Sequence, residues 1–156
     1  ATVIGTAGSP EKVALAEAAG CDAVIRYREE DVVARVMELT GGAGVEVAYD
    51  AVGKDAFDGS LAVLATRGHL VNYGQASGTI PPLDISRLGA KSLSLTRPFL
   101  WAYVGTREKL VAASAALFDA MASGALAIGG RFPLARAADA HAALEARGIG
   151  PYVLDC

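Results

Sequence analysis

Thr6, Ser9 and Lys12 place two hydroxyls and an ammonium group close together, straight after an apolar run at Ala1–Gly5. Such donors suit an anion, because charge-assisted hydrogen bonds to phosphate are the strong ones. In dinucleotide-binding folds an acid at the strand end takes the ribose 2′-hydroxyl, whereas a cation takes a 2′-phosphate. No Asp or Glu ends this run, and Lys12 stands in the first turn of the helix that follows, opposite to the preference of the macrodipole. The pattern therefore favours a phosphorylated ribose over a solvated lysine.

Other residues invite chemistry less directly. Asp50, after an apolar strand, is read either as a buried acid with a catalytic task or as a cap for the next turn, the cap being preferred. Tyr27 ends a second strand and reads equally as a packing tyrosine or a ligand contact. His69, His141, Cys21 and Cys156 lack the C-x-x-C or H-x-x-x-H spacing of a metal site, so no metal is expected. G-x-S-x-G is absent, which leaves serine hydrolysis without support.

The elements that position these residues follow from the pattern. Thr2, Val3 and Ile4 favour a strand, and Ser9-Pro10 starts a helix that Gly20 ends, since Pro lacks only an N–H that would be unpaired there. Ala23–Tyr27 predicts a second strand, and a helix with an acidic start carries Val32, Val33, Val36, Met37 and Leu39 on one face. Val45–Gly53 predicts a third strand. Lys54–Leu64 predicts a helix with Phe57, Leu61 and Leu64 at helical spacing, and His69–Gly74 a fourth strand with a polar exit, Gln75–Gly78. Residues 79–88 read as irregular. Lys91–Pro98 alternates polar and apolar, as an edge strand does. Thr106–Ser123 and Ala135–Arg147 predict helices, Gly130–Leu134 and Tyr152–Leu154 short strands. Strands alternating with helices imply an α/β doubly wound, Rossmann-like fold with a parallel sheet.

The 156 residues carry a net charge of −3 and 53% hydrophobic side chains. That suits a packed core and argues against a nucleic-acid surface, which needs a clustered basic face. Two isolated cysteines fit a reducing cytoplasm, and no run reaches membrane-spanning length. The chain opens on Ala in mid-strand, as a fragment would.

The stretches VIGTAGSPEKVALAEAAG, VIRYREEDVVARVMELTGG, VEVAYDAVGKDAF, GHLVNYGQASG and SLSLTRP together resemble the zinc-independent quinone oxidoreductases of the medium-chain dehydrogenase/reductase superfamily. The resemblance implies that the chain starts at the second Rossmann strand. The first strand, its glycine-rich pyrophosphate loop and the preceding catalytic domain would then be absent. Residues 1–131 would be a partial NAD(P)-binding domain, and 132–156 a helix and strand returning to the catalytic domain. It further implies NADPH as cofactor, with Thr6, Ser9, Lys12 and Tyr27 around the adenosine phosphate. Arg28 is a weaker candidate there. Val52 and Gly53 would line the adenosine or nicotinamide ribose by backbone contacts. Tyr73, Gly74, Gln75 and Ser77 would border the nicotinamide side, and Thr96, Arg97 and Pro98 would sit near the dimer edge and the substrate cleft. The implied chemistry is hydride transfer to a quinone or other conjugated carbonyl in a homodimer joined through strand 92–97. No catalytic residue can be assigned. Phe99, Trp101 and Tyr103 read as a quinone site or equally as an interface or core cluster. The contrasting reading is a non-catalytic module that binds a nucleotide or a partner.

Overall fold

The computed structural model describes residues 1–124, 128–146, 148 and 150–156. The chain divides into two units, Ala1–Tyr103 and Val104–Cys156. The first runs β1 (Ile4–Ala7), α1 (Pro10–Ala18), β2 (Ala23–Arg26), α2 (Val32–Leu39), β3 (Val45–Asp50), α3 (Phe57–Ala62) and β4 (Leu64–Asn72). The short helix α4 (Ser86–Gly89), β5 (Ser94–Thr96) and the short helix α5 (Leu100–Tyr103) complete it.

All pairings in this unit are parallel, as the alternation predicts. They form two ladders rather than one continuous sheet, β1 with β2 and β3-β4-β5 in that order. Side chains from both ladders nonetheless share apolar packing: Ile25, Val36 and Val63 are buried together, with Ile4, Val45 and Ala48 against them. A second cluster joins Phe57, Leu61, Leu64 and Leu70 under β4. Ile25, Leu64 and Leu70 are fully buried, and each such side chain stabilises the fold by about 1.5–3 kcal/mol relative to exposure.

The boundaries depart from the sequence reading where side chains redirect the backbone. The first strand is not Ala1–Gly5. Val3 gives its N–H to Asp22 Oδ2 at 2.7 Å, and the ladder starts at Ile4 and continues through Thr6 and Ala7, so the turn begins at Gly8. The third strand stops at Asp50 and not Gly53, because the Asp50 carboxylate takes the N–H groups of Val52 and Gly53. The helix expected over Lys54–Leu64 is confined to Phe57–Ala62. Gly53 accepts from Ala56 and Phe57 in a preceding turn, and Leu64 already pairs with Val45 as the first residue of β4. β4 then loops out, with Arg67 at φ 64°, before resuming at His69 opposite Val47. β5 is three residues long and lies at the sheet edge that its alternation predicts. The irregular stretch before it contains α4, whose start is fixed by Asp84 accepting from Ser86 N–H.

Side chains close α2 at both ends. Asp31 accepts from Ala34 N–H at 3.0 Å, and at the other end of α2 the Thr40 hydroxyl donates to Val36 O while accepting from Gly44 N–H. Lys91 Nζ donates to the carbonyls of Ala62, the last residue of α3, and of Leu64 beyond it, at the end of a helix where a cation is favoured.

The second unit holds α6 (Arg107–Ala122), capped by Thr106, then β6 (Gly130–Pro133), a 3₁₀ turn (Leu134–Arg136), α7 (Ala137–Glu145) and β7 (Tyr152–Asp155). β6 and β7 pair in parallel across α7, with Phe132 and Tyr152 edge to face at 5.6 Å. The last helix starts two residues later than expected; its expected end, Arg147, lies outside the described residues. Among the described residues no helix is long and apolar enough to cross a membrane.

Candidate cofactor site at the carboxyl ends of the strands

Parallel strands bring their carboxyl ends to one side, where open α/β sheets bind ligands. Two groups of the predicted residues assemble at such ends. The first belongs to β1 and β2. Thr6 is exposed on β1 beside Ile25. Ser9 is the N-cap of α1, and Lys12 lies half-buried in its first turn. Tyr27 follows β2, gives its N–H to Ala7 O, and lays its phenol on Gly8. A Cβ at Gly8 would fall 2.4 Å from the Tyr27 hydroxyl oxygen, so the bare backbone of residue 8 is what admits the ring.

Ser9 does not cap α1 with its side chain. Glu11 accepts its own N–H and then the Ser9 hydroxyl, and these bonds hold its carboxyl below the ordinary range. This local corner therefore gathers a helix N-terminus, the Thr6 hydroxyl, an ammonium group and a tyrosine, with the Ser9 hydroxyl engaged by Glu11 and no acid at the end of β1. That donor set fits a phosphorylated ribose.

The second group lies beyond β3 and β4, where the two exits are stitched together. Tyr73 and Gly74 donate N–H groups to Asp50 O, Ala76 to Ala51 O and Ser77 to Val52 O. The Ser77 hydroxyl donates to Val52 O at 2.7 Å and accepts from Asp55 N–H at 3.0 Å. A Cβ at Gly74 would stand 2.3 Å from Ala51 O, and one at Gly53, where φ is +82°, 2.8 Å from Gln75 Cα. Backbone thus packs on backbone, with Val52 and Tyr73 left exposed beside the joint. The four residues expected on the nicotinamide side, Tyr73, Gly74, Gln75 and Ser77, are gathered here with Val52 and Gly53, which are expected at a ribose.

Asp50 settles between its two readings. Its Oδ1 accepts from Val52 N–H at 2.7 Å and Gly53 N–H at 3.0 Å, and its Oδ2 from Asn72 Nδ2 at 3.1 Å. The carboxylate is a buried cap whose two oxygens are both engaged, as a buried charge requires.

Asn72 stands at the same joint, and the sequence motifs do not single it out. Gly68, Leu70 and Asn72 fall on one buried face of β4, so the period of two places a carboxamide at a core position, and such a group must be hydrogen-bonded. That period is the signal that finds it.

Of the expected substrate residues, Arg97 joins this group: its Nη1 donates to Asn72 O and Oδ1, each at 2.9 Å. The Thr96 hydroxyl is 2.7 Å from His69 Nε2 on the neighbouring strand. Pro98 is half-buried after β5, and Arg28 is exposed after Tyr27. Phe99, Trp101 and Tyr103 stand exposed rather than in a core. Among the described residues no three His, Cys, Asp or Glu side chains cluster closely enough to hold a metal.

Known proteins are similar along nearly the whole of this chain. The quinone oxidoreductase of Salmonella typhimurium is 45% identical over 94% of this chain and 46% of its own length. A Burkholderia 2-haloacrylate reductase is 43% identical over 99% of this chain and 48% of its own. The crystal structure of Escherichia coli quinone oxidoreductase complexed with NADPH superimposes with a TM-score of 0.86 at 42% identity, covering 96% of this chain and 48% of that one. The chain thus spans about half the length of the relatives it matches. Residues 1–118 match the zinc-binding dehydrogenase family, and with its Rossmann-like parallel fold the chain belongs to that family.

Proposed function

We propose that the chain is the cofactor-binding part of an NADPH-dependent oxidoreductase that transfers hydride to a quinone or a similar conjugated carbonyl. One observation carries the reading. β1 ends without an acid, and Ser9, the half-buried Lys12 and Tyr27 on Gly8 stand at its exit instead. Thr6, Ser9 and Lys12 would hold the 2′-phosphate, with Tyr27 beside the adenosine. Val52, Gly53, Tyr73, Gly74, Gln75 and Ser77 would border the nicotinamide, and Thr96, Arg97 and Pro98 the acceptor. NADPH supplies the hydride; the residues named here bind and orient it. The NADPH complex of the E. coli relative supports the cofactor, and the names of the Salmonella and Burkholderia relatives support a conjugated acceptor.

The reading extends to a zinc-free cytoplasmic enzyme that dimerises through antiparallel pairing of edge strand 92–97. An unpaired, alternating edge invites such addition. A strictly monomeric mass at micromolar concentration refutes that pairing.

The cofactor assignment is tested by titrating NADPH and NADH into the full-length protein and its Lys12→Ala variant, followed by fluorescence. The expected result is a marked preference for NADPH that Lys12→Ala reduces about tenfold, as loss of one charge-assisted bond does. Binding of neither nucleotide overturns the oxidoreductase reading in favour of a non-catalytic module.

A further inference from the structure

Asn72 is 1% exposed and its amide touches three strand ends at once. Nδ2 donates to Asp50 Oδ2 at 3.1 Å, Asp50 O at 3.3 Å and Gly74 O at 3.1 Å, while Oδ1 accepts from Arg97 Nη1 at 2.9 Å. Asp50 passes the chain on, since its Oδ1 holds the N–H groups of Val52 and Gly53. A cation at the sheet edge is thereby connected through one buried amide and one buried carboxylate to a backbone turn two strands away. Hydrogen bonds in such a chain polarise one another, and low local dielectric strengthens the coupling.

Backbone packing alone does not supply this tie. Among the described residues the stitching between the exits of β3 and β4 involves no atom of β5; Arg97, just after that strand, joins it through Asn72. The Asp50 carboxylate is 3% exposed and needs a compensating charge or a full set of donors. Asn72 supplies a donor to it and is itself oriented by the guanidinium, which fixes which end of the amide faces Asp50.

We infer that Asn72 is a positioning residue that couples the Arg97 guanidinium to the Val52–Gly53 turn. The inference rests on the proposed function only in making that turn part of the nicotinamide site. There it deepens the assignment: an acceptor that draws on Arg97 alters the same amide that orders the cofactor's seat. Occupancy of the substrate end and order at the cofactor end are then linked through equilibrium, and the linkage is reciprocal.

The test is a double-mutant cycle in the full-length protein with Arg97→Ala, Asn72→Ala and the pair, reading amide hydrogen exchange at Val52 and Gly53. The expected result is about fivefold faster exchange at both amides in Arg97→Ala, in line with the weakening of one hydrogen-bonded contact. The pair should exchange no faster than Asn72→Ala, and Arg97→Lys should restore most of the protection. The KM for NADPH should rise in Arg97→Ala in step with exchange. Unchanged exchange at these two amides in Arg97→Ala overturns the inference, as do multiplicative effects in the pair. A uniform acceleration that includes the Leu70 amide overturns it too, since that reports global loss of stability. The exchange readout requires no nucleotide. A wild-type protein that fails to bind NADPH therefore defeats the proposed function and leaves the coupling to be judged on its own result.

Discussion

The phenol of Tyr27 rests on the backbone of Gly8, so close that a Cβ there would lie 2.4 Å from its hydroxyl oxygen and 2.7 Å from the carbon that bears it. Tyr27 belongs to the exit of β2 and Gly8 to the exit of β1, so this contact defines one wall of the corner that also holds Ser9.

Gly8→Ala should consequently expel the ring while leaving the fold in place, because Tyr27 is already half-exposed and can swing outward. The expected outcome is weaker NADPH binding, by about five- to tenfold, with a thermal midpoint close to that of the parent. Fluorescence titration and a melting curve check the two halves; an unaltered affinity counts against Tyr27 as a wall of the site. The magnitude corresponds to the loss of one aromatic contact of about 1 kcal/mol.

Gly74 presents the opposite case. A methyl group on its Cα would meet the Ala51 carbonyl oxygen at 2.3 Å, and neither backbone can swing aside. Gly74→Ala should cost about 1–3 kcal/mol of stability, the range for overpacking, read as a lower denaturant midpoint. A variant as stable as the parent would mean that the exits of β3 and β4 can part without penalty.

Leu70 is fully buried in the cluster with Phe57, Leu61 and Leu64. Leu70→Ala should destabilise by about 2–5 kcal/mol through lost transfer energy and an unfilled cavity. Chemical denaturation measures it. A loss below about 1 kcal/mol would show that the cluster collapses around the gap.

Asp155 on β7 is held below its ordinary value of 3.8 by hydrogen bonding from, and then the charge of, the Arg131 guanidinium on β6. A carboxyl whose folded value is depressed contributes stability that is present above its unfolded value and lost as pH falls through the folded one. The pair is exposed and screened, so its contribution is small. In Arg131→Leu the Asp155 titration should move up towards the ordinary value, which NMR of the carboxyl carbon follows directly. An unmoved titration would remove Arg131 as the cause.

How far the sequence reaches depends on what each residue interacts with. Ser9-Pro10, Asp31, Thr40 and Thr106 sit at helix ends because their effects are local, within a few residues of chain. Leu64 misleads, since helical spacing from Phe57 and Leu61 places it on α3, while pairing with Val45 claims it for β4; short apolar runs do not distinguish the two periods. Thr6 reads as a turn residue beside Ala7 and Gly8, yet Thr and Ala are weak turn markers, and the ladder to Ile25 overrides them. At the site, residue types announce the corner proposed to hold the 2′-phosphate. The Asp50–Asn72–Arg97 chain, in contrast, joins residues 22 and 25 apart in sequence, and nothing local to Asn72 marks which strands will flank it.

The separation of the β1-β2 ladder from the β3-β4-β5 ladder has a consequence for altering this protein. Residues expected to discriminate one nucleotide from another stand on the first, and those expected to face the reacting ring stand on the second. Exchanging Ser9 and Lys12 for residues that suit an unphosphorylated ribose leaves untouched every hydrogen bond that joins the exits of β3, β4 and β5. On the proposed reading, coenzyme preference and acceptor chemistry would then be open to mutation separately, since the residues assigned to each lie on different ladders.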